Sequence, residues 1–290
     1  MQISNDHLAL TVAHRGAEPV SLLFNGRECL WQGNPSFWKR HAPILFPIVG
    51  KVYDNTYRVG SQEFHLSQHG FARDSDFDLV HKTSTTLTFS LQSNAATLLS
   101  YPYPFHLTAH YQLSGNQLLC QWVVENPADQ EMYFMIGAHP AFNYPLFHPD
   151  DPVHGFLQFF RHNQPVNTLT VTQLGQQGYA MPNTVELPLA DGLLPLTPGT
   201  FRHDALVVEG CQADRVVMLD KQRQPFLQVS FDAPLFGLWS PVNAPFCCIE
   251  PWYGRTDAEG FSGSIQQRQH IQHLAPYASF TFSHTLTFLA

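Results

Sequence analysis

Three short runs carry side chains whose types and settings suit proton chemistry. In Phe134-Met135-Ile136-Gly137-Ala138-His139-Pro140-Ala141-Phe142-Asn143, an apolar strand-like stretch stops at Gly-Ala and presents a histidine ahead of a proline. Proline removes a backbone donor and pushes the residue before it toward extended geometry, so the His139 imidazole is expected on stiff backbone at a strand end. An imidazole so held can give or take a proton near neutral pH. In Phe246-Cys247-Cys248-Ile249-Glu250-Pro251-Trp252-Tyr253-Gly254-Arg255, Glu250 closes an apolar strand among aromatics. Partial desolvation there raises a carboxylate's pKa and makes it a better base. In Gln68-His69-Gly70-Phe71-Ala72-Arg73-Asp74 a second histidine arrives at a strand end. Gly70 can take positive φ or admit a close backbone approach, and Arg73 can reach an acceptor or Asp74. Each group has a plainer reading taken alone: His139 tying a strand end to its neighbour, Glu250 ion-paired with Arg255, Lys39 in a solvated rim. Two imidazoles and a carboxylate, all at strand ends beside Gly or Pro, form an acid/base set.

Other chemistries lack their signatures. Ser and Cys have no elbow motif, and P-loop, GxGxxG, HExxH and CxxC patterns are absent. His65 and His69, four apart, would share one face of a strand, but no third ligand is spaced to complete a zinc site. The sequence predicts no metal and no cofactor.

The elements that must position these groups read as strands. Leu8, Leu10 and Val12 alternate with Ala9 and Thr11, and Val20 to Phe24 closes at Asn25-Gly26. Thr56 to Leu66 is a hairpin turning at Gly60-Ser61. Leu107 to Leu113 and Gln117 to Glu125 form a longer hairpin about Ser114-Gly115-Asn116. A brief helix is expected at Asn94 to Ser100. The stretch from Phe142 to Thr200, richer in Pro, Gly, His and Asn, reads as loops and short strands. Strands then return through Leu235 to Trp239, Phe246 to Glu250 and the Phe280-Phe282-His284-Leu286-Phe288 face. No repeat of ~20 to 50 residues marks a propeller or solenoid. The fold class is all-β, a large antiparallel sandwich with one core over residues 1–290 as a single domain.

Composition bounds the partners. The chain has 290 residues, 44% hydrophobic and 13% charged, which describes an ordered globular protein. A net charge of −8 with only 15 Lys and Arg, none clustered, argues against nucleic acid or an anionic membrane and for a small substrate. Five cysteines without CxxC spacing imply a reducing compartment, and the N-terminus carries no signal pattern, so a cytoplasmic location is expected.

The runs His69-Gly70-Phe71-Ala72-Arg73, Gly137-Ala138-His139-Pro140-Ala141-Phe142 and Ile249-Glu250-Pro251-Trp252-Tyr253-Gly254-Arg255 resemble, in order and spacing, the aldose 1-epimerase (galactose mutarotase-like) family, most of all its LacX-like branch. The likeness extends over essentially the whole chain, including Pro47-Ile48-Val49-Gly50-Lys51 and Tyr101-Pro102-Tyr103-Pro104-Phe105. It implies a β-supersandwich that interconverts α and β anomers of an aldose without cofactor. It implies Glu250 as general base, His139 as general acid, His69 as the second, sugar-holding histidine, and Asp204 in Arg202-His203-Asp204-Ala205-Leu206 as a sugar-binding carboxylate. The family's Arg-rich loop ahead of the first histidine is altered here, with Arg40 and Lys51 the nearest candidates to fill it and Arg73 a further binding candidate. Trp239, Trp252 and Phe71 would offer apolar faces to a sugar. Competing readings are a hexose-6-phosphate mutarotase, in which Arg40, Lys51 and Arg73 converge on a phosphate, a non-catalytic carbohydrate-binding or sensing protein, and a lyase on a similar sandwich. A monomer or homodimer is expected.

Overall fold

The computed structural model describes residues 1–289. Alternation in the sequence becomes alternation in burial: along Gln117–Glu125 the residues Leu118, Cys120, Trp122 and Val124 point inward and their neighbours outward. That strand hairpins with His106–Ser114 about Gly115 at φ +56, with Ser114 opposite Gln117 and His106 opposite Glu125. The pair lies inside a ten-stranded antiparallel sheet in which Gln117–Glu125 also pairs with Ser279–Phe288. Asn94 caps the expected helix, Ala95–Ser100, by accepting from the Ala96 and Thr97 backbone N–H groups.

The sheet that matters for the site has eight strands. Its path runs Ala180–Pro188, Thr168–Leu174, Leu206–Val208, Leu235–Trp239, Phe246–Tyr253, Ile136–Ala138 and Ile44–Leu45, with Ala141–Asn143 also on Phe246–Tyr253. Both faces of Phe246–Tyr253 are covered, so it reads as a continuous apolar run. Period two still sorts its side chains. Cys247 and Ile249 enter the main core, a cluster that draws on Ile3, Phe46, Phe134, Phe142 and Phe282, while Phe246, Cys248 and Trp252 lie in separate clusters on the opposite face. Glu250 shares that opposite face.

One edge of Phe246–Tyr253 is paired twice. Gly137 lies opposite Trp252, and Ala141 lies opposite Cys248. The intervening His139-Pro140 is the break between two short strands, and the register brings it alongside Glu250. Trp252 then spreads over both neighbouring strands: a Cβ added at Gly137 or at Gly237 would strike its indole. The indole N–H donates to the Ala138 carbonyl at 3.2 Å, so the ring lies fixed beside Glu250.

The structure differs from the sequence reading between Phe142 and Thr200. That region contains Gly155–Arg161, Thr168–Leu174 and the nine-residue Ala180–Pro188. Ala180–Pro188 ends the eight-stranded sheet, with most of its residues exposed and Pro182 and Pro188 within it, so it shows no inward-facing alternation. His69 also sits otherwise than expected. It lies beyond the end of Gln62–His65, in a turn where it takes φ +66 and Gly70 takes φ +68.

Gly237→Ala is expected to lose stability by about 1–3 kcal/mol, the usual cost of forcing a methyl into a filled site. Urea denaturation checks this, and an unchanged midpoint would show that the Trp252 ring is free to shift.

Candidate active site

A cavity of about 380 Å³ opens on the face of the eight-stranded sheet that carries Glu250 and Trp252. Its lining includes His139, Glu250, His69, Arg73, Asp204 and Lys51, with Trp38, Trp239 and Trp252 as its aromatic walls. Six of the seven residues singled out in the sequence therefore meet in one place. Arg40 is the exception.

His139 Nε2 and Glu250 Oε2 stand 3.2 Å apart. Glu250 is 1% exposed and His139 8% exposed. The contact lacks the alignment of a hydrogen bond, and neither Glu250 Oε2 nor His139 Nδ1 has another partner among the described residues. Burial drives Glu250's pKa well above the usual carboxylate value, with the Asp204 carboxylate adding to the rise. Burial likewise drives His139 down to about 3, and Arg73 and Arg40 push the same way. Desolvation penalises the charged form of each group, whereas opposite charges this close favour the ion pair. The pair is thus suited to hold a single proton, with a carboxylate made more basic and an imidazolium made more acidic than either would be in water.

The environment of His139 is aromatic. Trp38 stacks on it with centroids 4.7 Å apart and planes 24° apart, while Trp239 and His69 present edge contacts at 5.9 and 5.6 Å. Trp38 belongs to an irregular loop, yet the loop is tied down. The Trp31 indole N–H donates to the Trp38 carbonyl at 2.7 Å, and the His41 and Ala42 backbone N–H groups donate to Glu18 Oε1 at 2.7 and 2.9 Å. Trp38 is not among the candidates that the sequence offered. Its signal was only the Phe37-Trp38 pair beside basic residues. Phe71, expected as an apolar sugar face, instead packs among Phe46, Tyr101 and Phe105, outside the cavity lining.

His69 is clamped by Gly50. Its backbone N–H donates to the Gly50 carbonyl at 2.7 Å, and the Gly50 N–H donates back to His69 Nδ1 at 3.1 Å. A ring nitrogen that accepts cannot also carry the proton, so neutral His69 bears its hydrogen on Nε2. Burial and the nearby His139 hold its pKa well below normal, which keeps it neutral. The left-handed turn reaches this place because Gly70 has no Cβ to meet the Phe46 carbonyl.

The cationic candidates are mostly engaged. Lys51 Nζ donates to the Gln177 carbonyl at 2.7 Å and lies 5.9 Å from the centre of the Tyr179 ring. Thr256 Oγ1 accepts from Lys51 N–H at 3.2 Å and donates to the Gly178 carbonyl at 2.9 Å, tying this wall to the end of the Glu250 strand. Asp204 is exposed in the same wall, at φ +78, with Oδ1 accepting from Ala205 N–H at 2.8 Å. Arg73 lines the cavity and donates from Nη2 to the Gln68 carbonyl. Burial and the neighbouring Arg40 lower its pKa to about 10. Arg40 itself turns to Asp74, with Nη2 at 3.1 and 3.0 Å from the two carboxylate oxygens, and donates from Nη1 to the Arg73 carbonyl. It buttresses Arg73 from outside the cavity.

Comparison with known proteins gives the family and agrees with the fold. Residues 1–263 match the model of the aldose 1-epimerase family, and the chain belongs to that family. It is similar to the LacX protein of Lactococcus lactis, 29% identical over 306 residues, covering 100% of this chain and 99% of LacX. A crystal structure of a galactose mutarotase related enzyme from Lactobacillus acidophilus is 31% identical and superposes with a TM-score of 0.90, covering 100% of this chain and 97% of that one. A galactose mutarotase-like protein from Lactobacillus casei gives 29% identity and a TM-score of 0.93, covering 100% of this chain and 99% of that one. All five cysteines are unpaired, and no helix among the described residues is long and apolar enough to cross a membrane.

Arg255 does not pair with Glu250. Its Nε stands 3.1 Å from Glu209 Oε1, and His270 Nε2 stands 2.6 Å from Glu209 Oε2, so the segment after the Glu250 strand is fastened to Glu209. Thr172 Oγ1 donates to the same carboxylate at 2.5 Å. Burial raises the Glu209 pKa, but the contacts from His270, Thr172 and Arg255 outweigh it and bring it from 4.5 to about 2. A depressed folded-state pKa means that the unfolded chain binds the proton first on acidification. This contribution is therefore present above pH 4.5 and is lost as pH falls toward 2. Denaturation midpoints across that window should fall more steeply in the wild type than in Glu209→Gln, and equal slopes would refute the assignment.

Proposed function

We propose that this protein is a mutarotase that interconverts the α and β anomers of an unphosphorylated aldose by opening and reclosing the sugar ring, with no cofactor. The observation that carries the reading is the desolvated His139–Glu250 pair, 3.2 Å apart, in a cavity walled by tryptophan. Ring opening removes the proton from the anomeric hydroxyl, breaks the bond between C1 and the ring oxygen, and delivers a proton to that oxygen. Glu250 takes the first proton and His139 supplies the second. After rotation about C1–C2 the roles reverse, and the ring closes on the other face with no net change in protons. A single shared proton suits such a cycle, and each positioned donor or acceptor contributes about 10²- to 10⁴-fold in rate.

Neutral His69 offers its Nε2–H to a sugar hydroxyl, and Asp204, Lys51 and Arg73 can bind others around the ring. The tryptophans give apolar faces to the sugar's C–H surface. A pure binding or sensing protein has no need of a buried acid and base, whose burial costs stability.

Charge favours a neutral sugar. Lys51 and Arg73 are held by backbone carbonyls, Asp204 stands in the Lys51 wall, and Arg40 is spent on Asp74. A phosphate would have to compete with the Asp204 carboxylate in the Lys51 wall and would find one end of the Arg73 fork already taken by the Gln68 carbonyl.

Exchange NMR across free aldoses should show Glu250→Gln and His139→Ala each slowing anomer exchange by at least ~10²-fold, with non-additive losses in the double variant. A Glu250→Gln variant with near-wild-type exchange would remove the base assignment and turn attention to Asp204. In the same assay kcat/KM for glucose or galactose should exceed that for the 6-phosphate. A strong preference for the phosphosugar that fades with salt and disappears in Arg73→Ala would reverse the substrate choice.

A further inference from the structure

Sequence spacing offered no third metal ligand, but the fold supplies one. Cys248 lies two residues before Glu250 on the same strand and projects to the same face. One ligand atom each from His139, Cys248 and Glu250 lie within 4.8 Å of one another, and all three residues are buried. Tetrahedral zinc with bonds of about 2.0–2.3 Å spaces its ligands roughly 3.3–3.8 Å apart, so closing the set needs a movement of about 1 Å at most. His139 and Glu250 already stand at 3.2 Å. Glu250 is 1% exposed and its buried Oε2 has no hydrogen-bond partner, so an acceptor in this space is left unsatisfied.

We propose that His139, Cys248 and Glu250 form a binding site for a thiophilic divalent cation, of which Zn²⁺ is the type, and that its occupation blocks the sugar site. The donor set is one imidazole nitrogen, one thiolate and one carboxylate, a combination proper to zinc and not to magnesium or calcium. Both cavity-lining ligands face an entering ion, the sulfur completes the set from behind, and the fourth position faces the cavity. Binding forms three metal–ligand bonds and releases two protons to water, one from the Cys248 thiol and the one held by the His139–Glu250 pair. A doubly charged cation with one thiolate and one carboxylate leaves the buried site neutral, which offsets the cost of placing the ion there. Cys247 points into the main core and takes no part.

The blocking effect rests on the mutarotase reading; the binding does not, and two readouts separate them. Binding is followed with Co²⁺ by the near-ultraviolet thiolate-to-cobalt band, which should appear in the wild type and in Cys247→Ser and be absent in Cys248→Ser and Cys248→Ala. Blocking is followed by exchange NMR with added Zn²⁺. EDTA should restore the rate fully, and the Zn²⁺ needed for half-inhibition should rise more than ~10-fold in both Cys248 variants, each measured against its own metal-free rate. Circular dichroism confirms folding of each variant. Absence of the band in folded wild-type protein, or Zn²⁺ inhibition unchanged in a folded Cys248 variant, overturns the proposal. A band without anomer exchange on any aldose would retain the metal site and reject the mutarotase reading.

Discussion

A carboxylate with almost no access to water is the constraint around which the rest of this molecule is arranged. Glu250 sits in the middle of a sheet with strands on both sides, and its nearest charged-capable neighbour is one imidazole. Removing water from a carboxylate is expensive, and an uncompensated buried charge is normally avoided by protonation. Here the expense yields reactivity, because the burial that destabilises the carboxylate and the imidazolium makes the first a stronger base and the second a stronger acid whenever the shared proton sits on His139. The surroundings must then be stiff, since a carboxylate able to turn toward solvent would lose that tension. Trp252 held across two glycines and Trp38 stacked on His139 provide the stiffness.

Strand register does the aiming. A period of two sends Cys247 and Ile249 into the main core and leaves Cys248, Glu250 and Trp252 on the opposite face, where Glu250 and Trp252 line the cavity, so a slip of one residue would bury the wrong set. The His139-Pro140 break has the same logic. Because Ile136–Ala138 and Ala141–Asn143 pair with one strand on either side of it, the imidazole is delivered at the level of Glu250 without any loop having to fold back.

How much of this could be read in advance depended on whether local chemistry announced the role. His139 and His69 stood out because Gly or Pro marks strand ends and turns, and hairpins such as Gln117–Glu125 stood out through alternation; Glu250 stood out beside Pro251 as the expected end of a strand, but the strand runs on through Pro251 to Tyr253 and Glu250 lies within it. Trp38 did not, since a tryptophan in an irregular loop gains its place only from Trp31 and from Glu18, residues that no periodicity links to it. Arg40 and Arg73 showed the converse difficulty. Both are basic and near the right histidine, but which one reaches the cavity is decided by Asp74, which takes Arg40. Ala180–Pro188 escaped notice because an exposed edge strand buries little and so carries no pattern.

These two kinds of legibility follow a division of labour. The acid/base pair is set by strands whose register is locked by a core on one side, so a change that moved it would also cost the packing of Ile249 and its neighbours. The wall facing it comes from turns and loops: the cavity-lining residues 176–178, Lys51, Asp204 at positive φ and His69 in its left-handed turn, joined by a few hydrogen bonds such as those of Thr256 and Gly50. Changes there alter what surrounds the pair, and Asp204 also acts on it directly by adding to the rise in the Glu250 pKa. On the proposed mutarotase reading, selectivity among aldoses would reside in the turns and ring opening in the sheet, with Asp204 the point at which the two meet.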